Sequence, residues 1–175
     1  MRRKRMMLMA LVMMSLVAIF GIAWTVEYTL RIHDAVFMQD WSKWPFVDDG
    51  IEITSMMRAA ALTMYIPIFL IAFFSIGTAM MTLNFFRQGR FFDTQAARYL
   101  ILTGCSLIAI GIADTLMAMF ELVFYTQWNA EGPVAPRYVY DAGDITIALA
   151  GIGFLLFGGI MREAVLLARE NEAYV

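Results

Sequence analysis

Cysteine and histidine are each present once in 175 residues. With Cys105 alone, the chain can build neither an intrachain disulfide nor a cysteine-based zinc or iron–sulfur site from its own residues. Flanked by apolar neighbours, Cys105 reads as a small hydrophobe. With His33 alone, one chain cannot ligate a haem through two histidines. Also missing are a Ser-x-x-Lys motif, a Gly-rich phosphate loop and a His-Glu-x-x-His zinc signature. The expectation is a protein that is not an enzyme and carries no cofactor. Charge is scarce too, at 16% of residues, where soluble domains carry about 25%. The net charge of −2 gives no basis for direct nucleic-acid contact.

What fills the space is apolar. The chain is 61% hydrophobic, with a mean hydropathy of +0.68, whereas soluble domains hold roughly 45–50% apolar residues. A soluble fold of this length could not bury that surface, but a bilayer would solvate it. A spanning helix needs about 20 predominantly apolar residues, and four segments meet that need: residues 6–29, 59–86, 96–125 and 144–168. An outer loop at 30–58, an inner loop at 87–95, an outer loop at 126–143 and a tail at 169–175 complete the chain. The expected fold is all-α: a polytopic, up-down bundle of four transmembrane helices in one membrane domain. Pro67 removes one backbone donor inside the second helix and favours a kink there. The basic start and the triplet Gly21-Ile22-Ala23 resemble a signal peptide, but the apolar run is long for one, so retention as a span is expected.

Basic residues orient the bundle. With the N-terminus inside, Arg2, Arg3, Lys4, Arg5, Arg87, Arg90, Arg98, Arg162 and Arg169 fall on the cytoplasmic side. Arg31, Lys43, Arg58 and Arg137 fall outside, a bias of nine to four. The acids Asp34, Asp40, Asp48, Asp49, Glu52, Glu131 and Asp141 lie outside. So do Trp24, Trp41, Trp44 and Trp128, whose rings suit the headgroup region. The expectation is a multi-pass protein of a bacterial inner membrane with both termini cytoplasmic. The segment 40–46 is expected along the outer surface, and Gly132, Pro133 and Pro136 are expected in turns.

Membrane helices meet through small and polar residues. On the third helix Gly104, Leu107, Gly111, Asp114, Ala118 and Glu121 repeat at alternating spacings of three and four, and so share a face. The fourth helix carries Asp144, Ala148, Gly151, Leu155, Gly158 and Arg162 in the same rhythm. Both stripes are expected to face the bundle interior, with Glu121 and Asp114 near Asp144 at the outer end. Asp114 stands out. It lies roughly 22 Å into its helix at 1.5 Å per residue, in the outer third of a core about 30 Å thick. An acid there is costly unless paired, protonated or hydrated. The sequence suggests an outer-leaflet polar cluster of Asp114, Glu121, Arg58, Glu27 and Asp144, with Arg58 the nearest cation. Such a cluster fixes helix register or carries protons or cations. The first reading is favoured, because the inner half of the third helix offers only Thr103, Cys105 and Ser106.

The inner loop reads Phe85-Phe86-Arg87-Gln88-Gly89-Arg90-Phe91-Phe92-Asp93-Thr94-Gln95-Ala96-Ala97-Arg98-Tyr99-Leu100. Its pattern is Gly89, then Phe92 three residues on, then polar residues and Arg98-x-Leu100. This resembles a loop signature of the bacterial membrane family designated domain of unknown function 2975. The acidic ending Leu167–Val175 is similar to the family's terminus, which closes on a valine; Tyr174 departs from its usual threonine. The resemblance spans helices two to four. It implies four membrane helices and no established activity. Members often sit beside small helix-turn-helix regulators, which implies a link to regulation. The loop also makes local sense: Gly89 can end a helix in the left-handed conformation, and Asp93 or Thr94 can cap the next one.

Fifteen methionines invite a copper reading, since thioethers suit Cu(I). Met6, Met7, Met9, Met13 and Met14 face several directions on the first helix, however, and read better as flexible apolar filler against lipid or a partner. Met38, Met56 and Met57 with His33 make a thinner outer alternative. The leading functional expectation is a non-enzymatic membrane protein acting through other membrane subunits or a homo-oligomer, as an accessory subunit or a regulator's membrane partner. The charged stretch from Arg162 to Glu172 would be its cytoplasmic docking surface. The competing expectation is a small proton or cation transporter or channel component using Asp114.

Overall fold

A computed structural model describes residues 2–33, 54–127 and 142–173. The expected surface segment 40–46, the turns at 132–136, and Arg137, Asp141, Trp41, Trp44 and Trp128 lie outside the described residues. Four helices form: α1 (Arg2–His33), α2 (Ser55–Arg87), α3 (Thr94–Thr126) and α4 (Ala142–Ala173). Among the described residues there is no strand. Each helix has 32 or 33 residues, or about 48 Å at 1.5 Å per residue. That exceeds a hydrocarbon core of about 30 Å. Apolar spans long enough to cross a membrane run Met7–Leu30, Arg58–Arg87, Thr94–Phe124 and Gly143–Asn171. The protein is thus an all-helical, multi-pass membrane protein. Helix α4 continues as helix through residues 169–173, the first part of the segment expected as a tail.

The α2–α3 connection is tight for local reasons. Gly89 takes a φ of 79°, a backbone state that side chains rarely adopt. The Arg90 N–H then donates to the Phe85 carbonyl at 3.0 Å, and the Gly89 N–H to Phe86 at 2.9 Å. This pair of bonds is the Schellman ending of a helix, and it satisfies carbonyls the last turn would leave open. Asp93 then caps α3: its Oδ1 accepts from the Gln95 N–H at 2.8 Å. Arg90 pairs with Asp93 and lies 4.7 Å over the Phe85 ring. Burial pushes the Asp93 pKa up, but the Gln95 N–H and the Arg90 hydrogen bond and charge outweigh it and hold the carboxyl below its ordinary value. Of the other loop residues, Leu100 is buried, Arg98 is exposed, and Phe92 is 76% exposed. Arg169 donates to the Thr94 hydroxyl at 3.1 Å, tying the end of α4 to the start of α3.

Packing follows chain order, α1 on α2, α2 on α3, and α3 on α4, with the last pair the most intimate. The α3 and α4 stripes interlock backbone to backbone. A Cβ on Gly104 would lie 2.7 Å from the Gly151 carbonyl, and one on Gly151 would lie 2.7 Å from the Gly104 carbonyl. Seven residues along in either direction, Gly111 meets the Asp144 carbonyl and Ala148, and Gly158 meets Ile101 and Ala97. In the α2–α3 seam Ser75, Thr78, Thr82, Thr103 and Ser106 are buried. The Thr103 hydroxyl lies 2.9 Å from the Tyr99 carbonyl and 3.0 Å from the Thr78 hydroxyl, its single proton shared between them, and Thr78, Thr82 and Ser106 donate to backbone carbonyls three or four residues earlier. Helix α1 is the loosest: 6% of an 18-residue apolar stretch within it is buried, against 28% for the corresponding stretches of α2 and α3 and 11% for that of α4.

Candidate functional site

Toward the C-terminal end of α1, Trp24 stacks on Tyr28 with centroids 4.9 Å apart. The Tyr28 ring meets Tyr65 and Phe69 of α2 edge-on, at 5.8 and 5.5 Å. Tyr28, Ala61, Tyr65 and Ile68 form a buried cluster, against which Ala113, Met117 and Phe124 of α3 pack. These aromatics carry α1's attachment, since large rings bury the most area per residue. The Tyr28 hydroxyl emerges from the cluster and donates to Asp114 Oδ1 at 3.1 Å.

Asp114 borders a cavity of about 180 Å³ between α1 and α4, shared with Trp24, Glu27 and Tyr28 of α1 and with Gly143, Asp144 and Ile147 of α4. Glu27 is exposed, while Asp114 and Asp144 are half-buried. The Thr115 hydroxyl, 3.0 Å from the Gly111 carbonyl, also lies 3.2 Å from Asp144 Oδ2. Asp144 sits in the first turn of α4, where the helix dipole favours an anion. A polar cavity of this size has room for water, which lowers the cost of the acids lining it. Beside it lies an apolar cavity of about 160 Å³, also bordered by Trp24 and Ile147, whose walls include Gly21, Ile76, Leu107 and Ile110.

The five expected cluster residues therefore fall into two groups. Asp114, Asp144 and Glu27 surround one cavity. Glu121 is buried at 4% exposure further toward the C-terminal end of α3. Because Gly111 meets Asp144, Glu121 lies about 15 Å farther along α3 at 1.5 Å per residue. Arg58 is half-buried at the start of α2. It neighbours Ala61, which packs in the cluster that also holds Met117 and Phe124. Arg58 and Glu121 thus lie at the same end of the bundle. Of the packing stripe, Gly104, Gly111, Ala148, Gly151 and Gly158 meet across α3 and α4, and Ala118 is half-buried.

Sequence reasoning missed Tyr28 and Thr115, the two hydroxyls that touch the acids, and the hydroxyl row of α2. For Thr115 the signal was present, one residue beyond Asp114 on α3. For Tyr28 it was weak, because nothing local says which α3 residue faces α1. Cys105 is exposed, and so are Met7, Met9, Met13 and Met56. His33 is exposed at the end of α1, and Met38 lies outside the described residues.

A family model described as "Protein of unknown function (DUF2975)" matches residues 33–175. No curated protein and no solved structure matches the chain.

Proposed function

The chain belongs to the DUF2975 family of membrane proteins of unknown function, and from that footing we propose that it is a non-enzymatic subunit acting through protein partners in the membrane. The observation that supports this is the packing of α1 and α4, whose 18-residue apolar stretches are only 6% and 11% buried by the chain itself. Their outer faces carry Phe20, Ile22, Leu149, Leu156, Phe157 and Ile160, all more than 60% exposed. Lipid alone can cover such faces, but helices also associate there by close packing and polar contacts. The reading includes a bacterial inner membrane and cytoplasmic termini, supported by the basic bias toward the N-terminal side. Purification from native membranes in mild detergent, followed by quantitative mass spectrometry, tests it. A stoichiometric second protein is expected, and a clean monomer or homomer contradicts it.

A second reading, a proton or cation path, draws on Glu27, Asp114 and Asp144 around one cavity. The hydroxyls further inward do not favour it, since Thr78, Thr82, Thr103 and Ser106 are bonded to backbone carbonyls. Proton and cation flux into vesicles should be the same for the wild type and Asp114→Asn. A loss of flux in the variant would replace the first reading with the second.

A further inference from the structure

We propose that the cleft between α1 and α4 is a binding site for a small amphiphilic cation, an organic ammonium group carrying one apolar ring. The closely packed helix pairs are the consecutive ones, α1 with α2, α2 with α3 and α3 with α4, so α1 and α4 flank a gap. Two cavities occupy it and share Trp24 and Ile147 as walls. Their chemistry is opposite. The first, of about 180 Å³, has the carboxyl groups of Glu27, Asp114 and Asp144 around it, with the rings of Trp24 and Tyr28. The second, of about 160 Å³, is almost wholly apolar, with Ile76, Leu107 and Ile110 in its walls. Together they reach the roughly 300 Å³ at which small-molecule sites begin. Such sites lie between the helices of bundles and join apolar walls to a few charged groups.

Charge decides the class of occupant. Among the described residues neither cavity has a lysine or an arginine in its walls, so they offer a ligand negative charge and none positive. The acids do not converge on a point: among the described residues no three acids, histidines or cysteines come close enough together to hold a metal ion. A larger cation, its charge spread over several atoms, suits acids that surround a cavity rather than meet in it. Trp24 and Tyr28 add aromatic rings, which attract ammonium groups. The second cavity takes the apolar part, since an apolar cavity of about 150 Å³ accepts a guest the size of benzene. A phospholipid fits poorly even where its head carries an amine, because its phosphate would face the same carboxyl groups. This site is distinct from the exposed faces of α1 and α4 on which a protein partner would dock.

Equilibrium dialysis of benzyltrimethylammonium against the full chain in phosphatidylcholine nanodiscs tests the site, with empty nanodiscs as reference. Saturable binding of one cation per chain is expected. Tetramethylammonium, which lacks the ring, should bind roughly tenfold to hundredfold more weakly, the scale of burying one ring. Neopentylbenzene, the neutral isostere, should show no excess over empty nanodiscs. Glu27→Gln should weaken binding of the cation roughly twofold to fivefold, the range of an exposed ion pair. Asp144→Asn should weaken it more, because Asp144 is half-buried where Glu27 is exposed. Absence of saturable binding overturns the proposal, and so does wild-type affinity in both variants. An equal excess of the neutral isostere overturns it too, by reducing the cleft to an apolar gap. Displacement of the cation by phosphatidylethanolamine in the discs does the same, by assigning the cleft to lipid. Should Asp144→Asn shift the thermal midpoint, the exposed position, Glu27, decides.

Discussion

At the scale of single residues, Asp93 shows how a short loop is held. Its carboxylate caps α3 and pairs with Arg90, and both interactions need the charged form. The folded pKa is therefore lowered from an unfolded value of about 3.9. A group shifted this way contributes its stability in full above the unfolded pKa and loses it as pH falls through the folded pKa. Thermal unfolding in detergent should show this loss at acid pH, and Asp93→Ala should flatten it. At neutral pH the same substitution should cost about 1 kcal/mol, as lost N-caps do. A variant as stable as the wild type at neutral pH would remove Asp93 from the account. Gly89 and Asp93 were legible in the sequence because a helix end is decided within a few residues. The partner of Asp114 was not. Arg58 was the nearest cation by position along the chain, but how α1 turns about its own axis decides that Tyr28 reaches the acid.

Among the elements, the α3–α4 pair is set by backbone contact. A methyl group at position 104 or 151 would lie 2.7 Å from a facing carbonyl oxygen, and the helices would have to separate. Gly104→Ala and Gly151→Ala should each destabilise by about 1–3 kcal/mol, the range for overpacking. Gly153, on the same helix as Gly151 but on another face, is the control, since a methyl group there would meet nothing within 4 Å. Gly153→Ala should be neutral or slightly stabilising, because alanine is the better helix former. Equal effects at positions 104 and 153, read from thermal midpoints, would contradict the register. The stripes were legible because residues three and four apart share a helix face. Their mutual register was not, and it leaves Glu121 beyond the reach of Asp144. The hydroxyl seam of α2 was obscured because serine and threonine are common in membrane helices and bond silently to their own backbone.

For the whole molecule, composition alone demanded a bilayer, and the four long apolar helices agree with it. Composition could not show that α1 stands apart from the other three. That shows in its shallow burial. The α2–α4 body holds the backbone-close packing and the hydroxyl seam, while α1 brings aromatics, the Tyr28–Asp114 hydrogen bond and an exposed apolar face. The central claim is that the exposed faces of α1 and α4 meet protein as well as lipid. Site-specific photo-crosslinking in living cells tests it most directly, with the reactive group at Phe20 and Phe157 on the exposed faces and at buried Leu100 as control. A discrete protein adduct at Phe20 or Phe157, absent at Leu100, is the expected result. Labelling of lipid alone at both exposed positions would contradict it.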